Sequence, residues 1–144
     1  MLIRKKTKHG GFTLIEVMIV VVIVGIIAGI AYPSYMNSVM RSNRADAKAE
    51  LNDVAQRLQR CFTAHSAYNS ASCGVADSIS GGDTLTSREG LYSIAATTLT
   101  ATTYTLTATP VAGTMQANDS ACTTLTLDHR GTRGATGTAP DDCW

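Results

Sequence analysis

The feature that most restricts the fold is an apolar run over residues 12–32 in which Glu16 is the only charged residue. A helix rises about 1.5 Å per residue, so the run makes a rod of roughly 30 Å, the thickness of a bilayer's hydrocarbon layer. It can span a membrane. Arg4, Lys5, Lys6 and Lys8 precede it, and no acid does. Because lysine and arginine are retained in the cytoplasm, the amino end is expected inside and everything from Ser34 onward outside. A secretory signal would have a short apolar stretch followed by a small-residue cleavage site. Here the run continues to Pro33 without such an exit, and the Gly10-Gly11 pair stands ahead of it. Cleavage at that pair would discard the basic leader and keep the apolar stem.

Glu16 is a residue that a simple anchor does not need. A carboxylate at mid-membrane costs about 2.5–3.5 kcal/mol on insertion scales, and less near a helix start, beside the positive end of the dipole. Two readings stand side by side. In one, the carboxylate reaches the interface. In the other it pairs with a cation inside a packed assembly, and cleavage after Gly11 would create that cation as the free amine of Phe12. Farther along, Gly25 and Gly29 form a G-x-x-x-G pattern that lets helices approach closely. Pro33 removes one helical hydrogen bond, so bending or loosening of the helix is expected over residues 25–33.

Charge balance narrows the function classes. Twelve basic residues face eleven acidic ones, formally +1; without the four leader cations, eight face eleven, formally −3. A strongly basic nucleic-acid protein is therefore not expected, and nucleic acid is disfavoured as a partner. Cys61, Cys73, Cys122 and Cys143 contain no C-x-x-C pair. Their even number and wide spacing behind an export-like segment favour disulfides in an oxidising compartment. Zinc on Cys61, His65 and Cys73 is the alternative, and it lacks a convincing fourth ligand.

The sequence holds no phosphate-binding glycine loop, G-x-S-x-G, H-E-x-x-H or paired-carboxylate constellation, so neither an enzyme nor a cofactor is expected. His65 and His129 read as solvated loop residues, as do Asp141 and Asp142. Arg41, Arg44 and Lys48 form a modest basic patch, expected to meet acids such as Asp46, Glu50 or Asp53 of neighbouring helices rather than DNA. Asn118-Asp119-Ser120 fits a glycosylation sequon.

Beyond Pro33 an amphipathic stripe runs through Met36, Met40, Ala47, Leu51, Val54, Leu58 and Cys61, broken at Asn43. Asp53 and Arg57 have the favourable i,i+4 order. Counted over residues 12–62, the helix would be about 75 Å long. Period-two patterns over 91–95, 103–109 and 123–128 predict strands whose apolar face covers the helix's outer half while threonines face away. Together these elements make an α+β roll: a long helix with a membrane-spanning first half, packed on an antiparallel sheet of about four strands.

The string KHGGFTLIEV, followed by the apolar run and Pro33, resembles the amino-terminal signature of type IV prepilins. That resemblance implies the type IV pilin fold, cutting between Gly11 and Phe12 by prepilin peptidase, methylation of the new Phe12 amine, and Glu16 guiding subunits into a filament. Methylation would keep the positive charge. Four segments follow: a leader at 1–11, a membrane and filament-core half-helix at 12–33, an outer half-helix at 34–62 and a head at 63–144.

Major pilins, minor pilins and type II secretion pseudopilins share this amino end. YTLTATP at 104–110, CTTLTLDHRG from Cys122 and the terminal DDCW resemble the PilE family of minor pilins more specifically. The implied protein is a single-pass inner-membrane precursor that moves through the periplasm into an extracellular pilus. Its implied partners are other pilins and the inner-membrane assembly machinery, and its implied roles are pilus assembly, twitching motility and attachment. A major pilin, a pseudopilin and a filament-surface module binding DNA or another ligand are the alternatives. Pilins typically bridge a carboxy-terminal loop, here Cys122 to Cys143 around 122–143, which stabilises by about 3 kcal/mol in the chain-entropy model. Cys61 to Cys73 would tie the helix end to the following loop, although four cysteines allow three pairings.

Overall fold

The computed structural model describes residues 11–144. All of the expected leader except Gly11 lies outside the described residues. The described residues divide into two compact units that part between Asn37 and Ser38.

In the first unit, helix α1 (Leu14–His65) begins just after Thr13, whose hydroxyl accepts a hydrogen bond from the Glu16 amide at 3.3 Å. Thr13 thus satisfies one of the amide donors that a helix start leaves free. Large apolar side chains from Phe12 to Tyr35 are 48–83% exposed. Among the described residues, α1 is the one helix long and apolar enough to cross a membrane, with mean hydropathy 2.9 in its apolar stretch. So much bare hydrocarbon is unfavourable in water, at roughly 25 cal/mol per Å². The helix assignment continues through Pro33.

In the second unit, the rest of α1 lies on a five-stranded antiparallel sheet whose strands follow chain order. They are β1 (Leu85–Thr86), β2 (Tyr92–Leu99), β3 (Tyr104–Pro110), β4 (Thr124–Asp128) and β5 (Arg133–Thr136). A single-turn helix, α2 (Gly74–Asp77), precedes the sheet. Leu106 stands opposite Leu127, and Ala108 opposite both Ile94 and Leu125. This register puts Tyr92, Ile94, Tyr104, Leu106, Ala108, Leu125 and Leu127 on one buried face against Ala47, Leu51, Val54 and Leu58 of α1. Thr105, Thr107 and Thr126 alternate with them and point away from that core.

The α+β roll stands as expected, with two corrections. The sheet has five strands rather than about four, because two edge strands carry no period-two signal. β5 reads Arg-Gly-Ala-Thr and is held by its ladder to β4 and by the Trp144 indole N–H, which donates to the Gly134 carbonyl at 2.7 Å. Gly134 also makes room for its neighbour, since a Cβ there would come within 2.7 Å of Thr126 Oγ1. The second correction concerns the core, which was expected from α1 and the sheet alone. Tyr68, Ala76 and Ile79, from the connection between them, are also buried in it. Phe62 stacks on Tyr68 at 4.7 Å, and Tyr68 meets Tyr104 edge-on at 4.9 Å.

Disulfides join Cys61 to Cys73 and Cys122 to Cys143. The second anchors the carboxy-terminal segment, which also hydrogen-bonds from the Thr138 and Ala139 amides to the Ser120 and Ala121 carbonyls. At Gly137, φ is +137° and a Cβ would lie 2.2 Å from the Ala121 carbonyl oxygen. Only glycine lets the two backbones approach this closely.

Candidate functional site

Among the described residues, three places carry chemistry. At the start of the first unit, Gly11 and Phe12 are exposed and precede the helix, and Glu16 sits in its first turn. Phe12, Glu16, Val17, Val20 and Val21 line one shallow groove of about 220 Å³. A carboxylate therefore lies on the same helix face as the residue whose amine a cut after Gly11 would free. Gly25 and Gly29 have open space around their α-carbons. Thr13 was missed as a functional residue, although T-x-x-E is a capping-box pattern legible in the sequence.

The second place is a buried polar knot in the second unit. Arg44 Nε and Nη2 donate to Asp119 Oδ2 and Oδ1, both at 2.8 Å, and Nη1 donates to the Asp142 carbonyl at 3.3 Å. Gln116 Nε2 donates to Asp119 Oδ2 at 2.9 Å and to the Met40 carbonyl at 3.2 Å. The Cys122 amide donates to Asp119 Oδ1 at 3.3 Å. One carboxylate thus ties α1 to the β3–β4 connection and to the bridged carboxy-terminal segment. Arg44 was expected, with Arg41 and Lys48, in a basic patch that meets acids such as Asp46, Glu50 or Asp53 of neighbouring helices. It is instead 5% exposed, and its partner Asp119 is 3% exposed. Asp119 is also the middle residue of the sequon, where no buried role was expected.

Tyr92 lies near this knot and is fully buried. Burial first, and then the negative charge of Asp119, push its phenol up to about 12. The sign of the pH effect follows. A folded pKa above the unfolded value of about 10 gives stability that is complete below pH 10 and lost as pH rises through 12. Two pH units correspond to about 2–3 kcal/mol. Urea midpoints of the wild-type chain should fall over this window. Those of Tyr92→Phe should fall less, keeping only the part due to Tyr104, which burial also raises.

The third place is a groove of about 570 Å³ between the outward side of α1 and the β4–β5 turn. Asn52, Gln56, Gln59 and Arg60 line one wall, and His129, Arg130 and Arg133 the other. The only acid at this turn is Asp128, whose Oδ1 accepts the Arg130 and Thr132 amides at 2.9 and 2.8 Å and whose Oδ2 pairs with Arg130 at 3.3 Å. Lys48 adds to the same side of the molecule. Its pKa is lowered, by burial first and then by the Arg44 and Arg133 charges. The other flank of α1 is acidic, with Asp46, Glu50 and Asp53 facing Thr86 and Arg88. His129, expected in a solvated loop, is half-buried in the basic groove. His65 is exposed at the end of α1. Among the described residues, no group of three His, Cys, Asp or Glu side chains could hold a metal ion.

An exposed apolar helix start, joined in sequence to an α+β head with a bridged carboxy-terminal segment, defines a type IV pilin. Residues 6–32 match the prokaryotic N-terminal methylation motif. Residues 33–126 match the family described as "Type IV minor pilin ComP, DNA uptake sequence receptor". The chain belongs to this family of minor pilins. The resemblance to PilE minor pilins seen in the sequence points to the same class. Type IV major fimbrial protein FimA of Dichelobacter nodosus is 43% identical over 57 residues, covering 40% of this chain and 36% of FimA. A probable minor fimbrial protein of the same organism is 42% identical over 55 residues, covering 38% and 35%. The matches thus span about a third of the length of these curated relatives. The crystal structure of the non-core minor pilin PilV of Neisseria meningitidis shares the fold. Its TM-score is 0.53 at 18% identity, over 70% of this chain and 90% of that one.

Proposed function

We propose that this chain is a minor subunit of a type IV pilus, made as a precursor and built into the pilus or its initiation complex. In this reading the leader at 1–11 is removed by prepilin peptidase between Gly11 and Phe12, and the Phe12 amine is methylated. Residues 12–33 hold the precursor in the inner membrane with its amino end in the cytoplasm, then pack against other pilins, with Gly25, Gly29 and Pro33 allowing close approach and bending. The outer half-helix at 34–62 carries the head, 63–144, through the periplasm to the extracellular filament. There it supports pilus assembly, twitching motility and attachment. The observation that carries this reading is the methylation-motif match over residues 6–32, which continues into a helix whose apolar side chains are left exposed.

Mass spectrometry of the mature protein tests it directly. The expected species begins at methylated Phe12, and Gly11→Leu should leave uncut, membrane-held precursor. A product beginning after Pro33 would overturn the reading. Deletion of the gene should reduce surface pili.

A second role is favoured by one further observation. The matching family is described as a DNA uptake sequence receptor, and a local groove between the outer half-helix and the head has Arg60, Arg130 and Arg133 on its walls. Net charge, which disfavoured nucleic acid above, averages over faces of opposite sign. A groove responds to its own cations. In this reading the head binds duplex DNA there through phosphate contacts, and binding weakens steeply with salt. Retention of the processed chain on DNA at physiological salt tests it, with Arg60→Gln/Arg133→Gln expected to abolish retention.

A further inference from the structure

We infer that the basic groove takes the acidic flank of a second copy of this chain, so that heads join side by side, groove to flank. The inference rests on the reading of the chain as a pilus subunit and adds to it the surfaces through which its heads meet.

Both faces are built on the same stretch of α1. A helix turns about 100° per residue, so Asp46, Glu50 and Asp53 form one stripe and Lys48, Asn52 and Gln59 another, roughly 130° apart around the axis. The second stripe runs into the groove, where Arg60, Arg130 and Arg133 stand. The one acid at that turn, Asp128, is engaged by two backbone amides and the Arg130 guanidinium. The first stripe lines a groove of about 450 Å³ against Thr86 and Arg88. Asp53 pairs there with Arg57 at 2.6 Å. Asp46 Oδ1 accepts the Glu89 amide at 3.3 Å, and its Oδ2 is buried with no hydrogen-bond partner among the described residues. Among the same residues Glu50 joins no ion pair. Three acids therefore face two cations, Arg57 and Arg88, with Glu89 exposed beside them.

One face is thus short of anions and the other short of cations, and opposite charge steers and orients such surfaces. Because Arg44 is buried, the cations offered to a neighbour's acids are those of the groove rather than the patch expected from the sequence. Subunits whose stems share a membrane run parallel, so the flank of one copy meets the groove of the next without either helix being turned over. Groove on groove and flank on flank repel, which disfavours a two-fold dimer. The contact is heterologous and can extend from copy to copy. A duplex and a neighbouring copy would compete for Arg60 and Arg133.

The test uses the full processed chain in two tagged forms, Asn52→Cys in the groove and Thr86→Cys on the flank, both at exposed, uncharged positions. The forms are mixed in phosphatidylcholine vesicles and mildly oxidised. The stems gather all copies alike, so the head contact decides which disulfides form. The mixed disulfide should exceed each like-with-like disulfide by about tenfold, and high salt should shrink that excess. Arg60→Glu/Arg133→Glu in the groove form should bring the mixed product down to the random level. Glu50→Lys/Asp53→Lys in the flank form should then bring it back, which a misfolded groove form could not do. Random yields in the starting pair would overturn the inference and leave the groove to DNA, with the subunit reading still judged by the mature amino terminus. An excess that survives the arginine reversal, or a loss that the second reversal does not recover, would overturn it too.

Discussion

Replacing Asp119 with alanine should destabilise the head by about 3–5 kcal/mol, the largest effect expected from any single change in it. Its carboxylate accepts two hydrogen bonds from Arg44, one from Gln116 and one from the Cys122 amide. Truncation leaves a buried guanidinium whose remaining acceptor among the described residues is the Asp142 carbonyl at 3.3 Å. A buried cation without its counter-ion costs far more than the intact pair contributes, because the pair itself only offsets the desolvation of two charges. Arg44→Met should therefore also destabilise, by leaving the carboxylate without its cation. The double variant Arg44→Met/Asp119→Leu should recover much of the loss. Trp144 is the only tryptophan in the chain and packs on Arg133 of β5 at 5.2 Å, so its fluorescence in urea, with both disulfides intact, reports on this part of the molecule. A loss below about 1 kcal/mol for Asp119→Ala would place the ion pair among weak surface pairs and refute its structural role.

That pair was invisible in the sequence for a physical reason. Periodicity finds positions where apolar residues recur, so Ala47, Leu51, Val54 and Leu58 were legible as the core face of α1, and Leu106, Ala108, Leu125 and Leu127 as its partners in β3 and β4. Asn43 looked like a break in the stripe, but the stripe continues one position later through Arg44, a charged residue that no hydrophobic pattern selects. Its partner lies 75 residues away, inside a tripeptide that resembles a modification motif. Long-range polar pairing of this kind leaves no local trace. β5 was missed for a related reason. Its residues pair through backbone and through Trp144 rather than through an apolar face. The basic groove likewise needs the fold to assemble it, since Arg60 and Arg133 come from different elements. The amino end is the opposite case. Gly11, Phe12, Glu16, Gly25, Gly29 and Pro33 belong to a contiguous pattern, so the proposals about them could be made from the string alone.

Changing Glu16 to alanine should leave the precursor inserted and cut after Gly11, yet reduce its presence in sheared filaments by about tenfold or more, the factor that 1.4 kcal/mol represents. The amino group that a cut after Gly11 would free and the Glu16 carboxylate belong to residues that line one groove near the helix start. In a packed helix bundle of low dielectric, the amine of one subunit and the acid of its neighbour attract strongly, and either charge alone is costly. A register between helices follows from that pairing. The competing account is local: Glu16 occupies the position where a capping-box acid would support the helix start set by Thr13. Glu16→Gln separates the two. Glutamine serves in a capping box as well as glutamate does, but it cannot pair with an ammonium as an anion. Incorporation of Glu16→Gln should fall as far as that of Glu16→Ala if charge sets the register. Wild-type incorporation of Glu16→Gln, measured by immunoblot of sheared pili against membrane-retained protein, would assign Glu16 to the helix start and remove the ion pair from the assembly mechanism.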